Sequence, residues 1–375
     1  MLFRSHGTVT VIADGVPVEI TTFRTDGEYL DSRHPESVSF SKNIEDDLAR
    51  RDFTVNSVAM NLRGEVVDPF GGREDMARGI IRCTGDPDTR FSEDALRIIR
   101  ALRFSSVLGF EIERRTAESV CRNRERLERI AAERIFSELK KLLCGKDVFR
   151  VLSDFYDVIC VVIPELRPSV GFDQKNRYHI YDVYTHSAKT VEAAEPDEIL
   201  RLAALLHDAG KPHSYTEENG AGHFYGHAGK SAEIASEWLE RMHADNETIR
   251  LVTLLCANHD KMIYPVKKSV KRLFLKFTYD EIIMLCKLQK ADTAAHAPEC
   301  QSRLETSDRI MELAREIKRE NECVSLKDLE IGGDDLISLG YRGREIGDKL
   351  REVLSLVVDE TLPNRREDLI EYLKK

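Results

Sequence analysis

The sequence predicts a mainly α, multidomain protein that opens on a short stretch of β structure, and three observations carry that expectation. A chain of 375 residues exceeds the size at which one hydrophobic core keeps growing, so two to four domains are expected. Apolar residues at 42% and charged residues at 33% fit a water-exposed, largely helical chain. The segment from His6 to Arg24 alternates apolar and polar side chains on either side of Asp14-Gly15, which is the pattern of a β-hairpin.

Composition excludes several classes. No apolar run approaches the roughly 20 residues of a membrane span, and Met1 to Arg4 begins no signal peptide, so no membrane partner and a cytoplasmic location are expected. Cys83, Cys121, Cys144, Cys160, Cys256, Cys286, Cys300 and Cys323 form no C-x-x-C pair, which argues for reduced thiols, mostly in the core. A net charge of −10 does not favour nucleic acid globally. Any RNA contact must use local basic surface, found at Arg97 to Lys141 and at Lys261 to Lys276.

A lone hairpin is marginal in water, so His6 to Arg24 should join a sheet with more strands than the sequence visibly supplies. Glu19 stands between Val18 and Ile20, either as an acid aimed at a metal or as an outward-facing strand residue. Arg24 to Phe40 reads as a polar loop. The stretch from Glu45 to Asn61 then concentrates charge beside an apolar run. Arg50 and Arg51 offer planar donor forks for phosphate or ribose oxygens, while Asp52 and Asn56 can accept from a hydroxyl. The plainer alternative is a helix with surface salt bridges in which Asp52 caps the next turn.

The run RRDFTVNS resembles the RRDFTxNA motif of the bacterial class II tRNA nucleotidyltransferase and poly(A) polymerase family, the CCA-adding enzymes. In that family the motif helps select the ribose of the incoming nucleotide. Asp68-Pro69-Phe70-Gly71-Gly72, followed by Asp75, resembles the family's DPFGG hinge and reads as a turn entering a helix. Phe91 to Phe104 reads as one helix with Ser92 as N-cap, Glu93 and Asp94 in its first turn, and Asp94 and Arg97 side by side on one face. A carboxylate beside a guanidinium can pair with the Watson–Crick edge of a base, as the family's EDxxR motif implies. An intrahelical ion pair is the alternative. Arg100 follows one turn later and is counted with them. Glu133 to Glu138, ERIFSE, resembles a further, structural neck motif.

Beyond Leu143 a second constellation appears: His186, His207-Asp208, His227, His259 and Asp292. The His-Asp pair follows the apolar run LRLAALL and precedes Gly210 and Pro212, which end a helix. Imidazoles and carboxylates converging from several helices suit a hard or borderline divalent ion, with Asp208 able to bridge two. The set resembles that of an HD-superfamily phosphohydrolase, which implies Mg²⁺, Mn²⁺ or Ni²⁺. Lys211 could neutralise a phosphate, whereas His213, His223 and His243 match no motif position and read as surface. Val266 to Phe277 reads as a basic amphipathic helix for an RNA backbone or for solvent. Glu316 to Asn321 reads as a junction, and Gly340 and Gly343 precede a helix near Arg344 where backbone N–H groups could meet a phosphate.

The resemblance implies a polymerase β-like α/β nucleotidyltransferase head over residues 1–78, a helical neck over 79–148, an HD domain over 149–315 and a tRNA-binding tail over 316–375. It also implies transfer of CMP or AMP from CTP or ATP to a tRNA 3′ end with Mg²⁺. Transfer needs carboxylates clustered around two ions about 3.5–4 Å apart, which the family supplies from a Gly-Gly loop and a D-x-D strand. Here the sole D-x-D, Asp86 to Asp88, flanks Pro87 in a turn. The head is therefore expected to be truncated and inactive for transfer, with Glu19 its one candidate catalytic acid. Two other readings stay open: a metal-dependent phosphohydrolase acting on nucleotide or RNA phosphoesters, and a tRNA-binding half-enzyme completed by a separate head polypeptide.

Overall fold

The structure is a computed structural model and describes residues 8–26, 38–176, 178–218, 221–301 and 303–375. Helices dominate, and among the described residues every sheet is two-stranded. The chain divides into two compact units, one of residues 1–168, 196–198 and 237–246, the other of residues 169–195, 199–236 and 247–375. No helix among the described residues is long and apolar enough to cross a membrane.

The first unit opens on the expected hairpin, Thr8–Ala13 against Val16–Thr21, in the register Val11↔Val18 and Thr10↔Glu19. Asp14 and Gly15 both have positive φ, 51° and 81°. Such a two-residue turn matches the twist of antiparallel strands. Val11, Ile12, Val16, Val18 and Ile20 are all exposed. The ends of the segment read as a polar loop instead pair as strands, Arg24↔Phe40 and Thr25↔Ser39, because alternating Thr and Ser with flanking Arg and Phe suit an exposed ribbon. Residues 27–37 of that reading lie outside the described residues.

Asn43 caps the helix Ile44–Ala49 by accepting from the Glu45 N–H, and Glu45, Asp46 and Asp47 occupy its first turn, where the helix dipole favours acids. Beyond it Phe53 is fully buried, bridges to Cys83 and stacks edge-on against Phe104. The DPFGG turn forms as expected. Asp68 accepts from the backbone N–H groups of Gly72 and Arg73 at 2.7 and 2.9 Å, starting the helix Gly72–Arg78. A Cβ on Gly72 would lie 2.1 Å from the Thr54 carbonyl oxygen, so only glycine permits this approach.

The single helix expected over Phe91–Phe104 is broken. Asp86 caps a short helix, Pro87–Glu93, and a second, Leu96–Leu108, follows after Asp94 leaves helical geometry at φ −143° and ψ 102°. The Asp94 carboxylate accepts from the Leu96 N–H at 3.0 Å, satisfying a donor that a continuous helix would have used internally. Ser92 is thus no N-cap: it sits inside the first helix and its hydroxyl donates to the Thr89 carbonyl. Ile98, Ile99 and Leu102 pack with Leu139, Leu142 and Leu143 of the helix Ala132–Leu143 in a closed core. Buried Trp238 donates from Nε1 to the Val162 carbonyl at 3.0 Å and meets Phe136 edge-on.

The second unit is built on the helices Val183–Ala193, Tyr279–Ala294 and Arg303–Arg319 and on the greater part of Glu198–Leu206, His227–Arg241 and Asn246–Asn258. Leu202, Leu205, Val252, Leu255, Leu285 and Leu288 fill its centre. The basic helix is shorter than expected, Lys267–Leu273, and three of its four cations are held in ion pairs. Lys267 pairs with Glu316, Glu320 and Glu322, Lys271 with Glu322 and Glu360, and Arg272 with Asp359. These acids compete with any RNA backbone. The segment read as a junction begins inside a helix that continues to Arg319, and the reversal comes at Asn321, whose φ is 50°. The helix expected near Arg344 is Arg344–Val358, and it packs Val353, Leu354, Val357 and Val358 against Leu336, Leu369 and Leu373. All eight cysteines are free.

Candidate functional site

In the first unit the short link after Ala49 and the break at Asp94 bring two segments together. A cavity of about 490 Å³ is lined by Arg50, Arg51, Asp52, Asn56, Asp94, Arg97, Arg100 and Phe104. Every nucleotide-site residue expected from the sequence is therefore on one wall or another of a single cavity. Arg50, offered with Arg51 as a donor fork, is there too, and Phe104 joins them.

Asp52 is the hub. Its Oδ1 accepts from Asn56 Nδ2 and from the Phe53 N–H, both at 2.9 Å, and its Oδ2 accepts from Arg100 Nε at 2.8 Å. Arg51 donates to the Asn56 carbonyl at 3.0 Å, closing the loop. Asp94 and Arg97 do not pair with each other. Asp94 Oδ2 accepts from Arg134 at 3.2 Å, while Arg97 donates to Glu93 at 2.7 Å and to the Arg50 carbonyl at 3.0 Å. Burial works against ionisation of Asp47, yet hydrogen bonds and charge from Arg50 and Arg51 hold its carboxyl below the usual range. A cavity with fixed guanidinium forks, a shared carboxylate and one aromatic face can hold phosphates, ribose hydroxyls and a base edge at once.

Glu19 stands apart on its hairpin, exposed opposite Thr10. Among the described residues, each close group of three or more His, Cys, Asp or Glu donors lies in the second unit. Asp86 and Asp88, the D-x-D pair, serve as a helix cap and as acceptor for Ser119, Arg122 and Asn123.

The second unit collects all six expected metal-site residues. Asp208, fully buried, presents one oxygen to each of two histidine pairs. Its Oδ2 lies 3.2 Å from His207 Nε2 and 3.6 Å from His186 Nε2, and its Oδ1 lies 3.4 Å from His259 Nε2 and 3.5 Å from His227 Nε2. Asp292 Oδ1 closes the first group, 2.8 Å from His186 and 3.5 Å from His207. Ligands of one ion at about 2.1 Å in tetrahedral array stand roughly 3.4 Å apart, so these spacings suit one ion on either side of Asp208. The tautomers agree. His207, His227 and His259 each donate Nδ1–H at 2.8 Å to the carbonyl three residues earlier, Ala204, Phe224 and Cys256, which leaves Nε2 with a lone pair.

The donors are also unsatisfied without an ion. His207 Nε2 and both Asp208 oxygens are buried without a hydrogen-bond partner, although Lys211 Nζ makes an ion pair with Asp208 at 2.6 Å that lacks hydrogen-bond geometry. Burial opposes charge throughout, but His207 and Lys211 hold the Asp208 carboxyl well below its usual range, and Asp208 and Asp292 lift His207 to about 10. A buried carboxylate with a second, partly buried one beside it demands positive charge, and a divalent ion meets that demand better than one imidazolium. The residues fit a metal.

A larger cavity of about 630 Å³ opens on this centre and includes Lys211, Phe224, Tyr225, Lys261 and Arg303 in its walls. His223, read as surface, lines it and stacks parallel on Tyr225. Gln174, missed in the sequence, accepts from Lys211 Nζ at 2.8 Å. His179 and His296, also missed, lie beside His186. Burial pushes the His179 imidazole down to about 2, with Lys211 adding to the effect.

The fold and these sites define a nucleotidyltransferase that carries an HD domain. The description "Poly A polymerase head domain" fits residues 1–82, "Probable RNA and SrmB- binding site of polymerase A" fits 109–158, and "HD domain" fits 177–328. A CCA-adding enzyme of Bacillus velezensis is 31% identical over 376 residues, covering 99% of this chain and 83% of that protein. One of Geobacillus thermodenitrificans is 50% identical over 140 residues, covering 37% of this chain and 35% of that one. The crystal structure of the Bacillus stearothermophilus CCA-adding enzyme in complex with CTP superposes with a TM-score of 0.75 at 25% identity, over 98% of this chain and 81% of that one. The Thermotoga maritima enzyme complexed with tRNA shares the fold, at a TM-score of 0.57 and 21% identity over 99% of this chain and 79% of that one. The chain belongs to the CCA-adding enzyme family of nucleotidyltransferases.

Proposed function

We propose that this protein acts in maturation of the tRNA 3′ end, with its first unit choosing the nucleotide, CTP or ATP, whose CMP or AMP is added. The observation that supports this is the convergence of Arg51, Asp52, Asn56, Asp94, Arg97 and Arg100 on one cavity. Asp52, with Asn56 and Arg51, takes the ribose and phosphates. Asp94 and Arg97 read the base edge, each held from outside by Arg134 or Glu93 so that neither neutralises the other. Residues 1–78 are assigned as head, 79–148 as neck, 149–315 as HD domain and 316–375 as a tRNA-binding tail.

Transfer magnesium is a different matter. The described residues of the first unit bring no three carboxylates together, so they do not fit the ion pair and no transfer step is derived from them. A separate head polypeptide with paired carboxylates is the proposed complement, and Glu19, exposed on its strand, is the acid this chain would add. Calorimetric titration of the 375-residue chain with CTP, ATP and UTP tests the selection reading. Tighter binding of CTP and ATP than of UTP is expected, and equal affinity for all three overturns it.

A second reading rests on its own observation, the buried unpartnered donors of Asp208 and His207. His186, His207, Asp208 and Asp292 would hold one divalent ion, and Asp208, His227 and His259 a second. Mg²⁺, Mn²⁺ or Ni²⁺ bound there supplies Lewis-acid activation of water and phosphate. Lys211, fixed by Gln174, neutralises the phosphate, and the cavity wall of Phe224 and Tyr225 receives the rest of a nucleotide or RNA phosphoester. Phosphoester hydrolysis with each ion tests it, and an inert, metal-free protein overturns it.

A further inference from the structure

From the placement of His179, His186 and His296 we infer a further cation position beside the HD centre, held by imidazole alone and selective for a borderline transition ion such as Zn²⁺, Ni²⁺ or Co²⁺. It rests on the metal-centre reading only in sharing His186. Nothing in the HD ligand set uses His179 or His296.

Three observations carry it. One ring nitrogen of each of these histidines lies within 4.8 Å of the others, and the ring centres are 4.4, 4.9 and 5.2 Å apart. Three imidazoles bound to one tetrahedral ion at about 2.0–2.1 Å have ring centres roughly 5 Å apart, so little movement separates this arrangement from a closed site. Next, His296 Nδ1 donates to the Asp292 carbonyl at 2.7 Å. This is the same device that leaves a lone pair on Nε2 of His207, His227 and His259, and it prepares His296 as a ligand. Finally, Nδ1 of His179 and Nδ1 of His186 are both buried without any hydrogen-bond partner. An orphaned buried polar atom destabilises the fold, and coordination removes that cost.

The donor chemistry sets the selectivity. Mg²⁺ takes oxygen ligands and belongs at Asp208 and Asp292, whereas nitrogen ligands alone suit zinc, nickel or cobalt; with both ions bound, His186 gives Nε2 to the HD ion and Nδ1 to this one as an imidazolate, its ring proton leaving to solvent. The carboxylate of Asp292, 3.6 Å from His296 Nδ1, balances part of the added charge. Filling this position ties the loop of His179 to the end of the helix Tyr279–Ala294, on the wall of the larger cavity.

The test is metal analysis of the full chain, stripped and then equilibrated with Zn²⁺ or Mg²⁺, for the wild type, His179→Gln, His296→Gln and Asp208→Ala. Wild type is expected to hold one more equivalent of Zn²⁺ than either His variant, with no such difference for Mg²⁺. Equal Zn²⁺ content in the wild type and both His variants overturns the inference. If Asp208→Ala alone loses metal, the HD reading stands and this position does not exist; if the His variants lose an equivalent and Asp208→Ala loses none, the reverse holds. Should the variants misfold by circular dichroism, anomalous scattering from zinc-soaked wild-type crystals decides. A peak between the three imidazoles supports the site, and its absence overturns it.

Discussion

Arg100 grips Asp52 across 48 residues of sequence, Nε to Oδ2 at 2.8 Å, so the carboxylate that anchors the nucleotide cavity is held by both of the segments that line it. The pair is more than half shielded from solvent, with 30% and 9% of the side chains exposed. Removing Asp52 would leave Arg100 and Asn56 without their shared acceptor. Asp52→Ala is expected to weaken CTP and ATP binding roughly 10- to 100-fold, as loss of a charged hydrogen bond worth about 1.5–3 kcal/mol implies. Calorimetry with the folded variant checks this, and unchanged affinity would place the nucleotide elsewhere.

Arg97 tests base reading separately from nucleotide holding. Its guanidinium is occupied by Glu93, the Arg90 carbonyl and the Arg50 carbonyl, which fix its plane beside Asp94. Arg97→Ala is expected to reduce the difference in affinity between CTP and UTP while tRNA affinity stays within about twofold, because specificity resides in the donors facing the base edge. Parallel loss for every nucleotide and for tRNA would mark Arg97 as a strut between the two segments.

Which parts of this were legible in the sequence follows from how local their causes are. The HD ligands stood out because His207-Asp208 terminates an apolar helix and because, with His186, His227, His259 and Asp292, it resembles the ligand order of HD-superfamily phosphohydrolases. The nucleotide residues stood out through the charge density of RRDF and EDALR. The helix break at Asp94 did not, since Glu93-Asp94 looks like an acidic first turn; the side chain's capture of the Leu96 N–H wins over helix continuity. Nor did the neutralisation of the basic helix, whose partners Glu322, Asp359 and Glu360 are far away in sequence. His296 had one local signal, its position four residues after Asp292, just past the end of the helix Tyr279–Ala294.

Gly72 gives a prediction about the fold alone. Its missing Cβ lets the helix Gly72–Arg78 sit against the Thr54 carbonyl, and an added methyl would stand 2.1 Å from that oxygen and 2.6 Å from Val58. Backbone cannot yield as a flexible side chain can. Gly72→Ala is expected to cost about 1–3 kcal/mol, the range for forced overpacking, seen as a lower midpoint in urea with an unchanged slope. The hydrogen bond from Thr54 to Asp75, 2.7 Å, should be strained by the same shift. A midpoint equal to that of the wild type would mean that the turn relaxes freely.

Asp208 decides the second site, because it alone faces both histidine pairs. With His207 and His186 on Oδ2 and His259 and His227 on Oδ1, its removal takes a ligand from each ion position at once. Asp208→Ala is therefore expected to abolish binding of Mg²⁺ and Mn²⁺ and hydrolysis of 2′,3′-cyclic nucleotides and phosphomonoesters. It should also leave Lys211, 5% exposed, without its anion. Lys211→Gln is a milder probe. It keeps every metal ligand, so metal content should hold while hydrolysis falls, since the phosphate loses its countercharge. Metal removal provides a third readout, because an ion bound only by the folded state at 100 times its Kd adds about 2.7 kcal/mol of stability. Chelation of the Mn²⁺-loaded proteins should accordingly lower the melting temperature of the wild type and leave that of Asp208→Ala unmoved. Equal melting shifts in both proteins would show that the ion sits elsewhere, and the phosphohydrolase reading would fall with it.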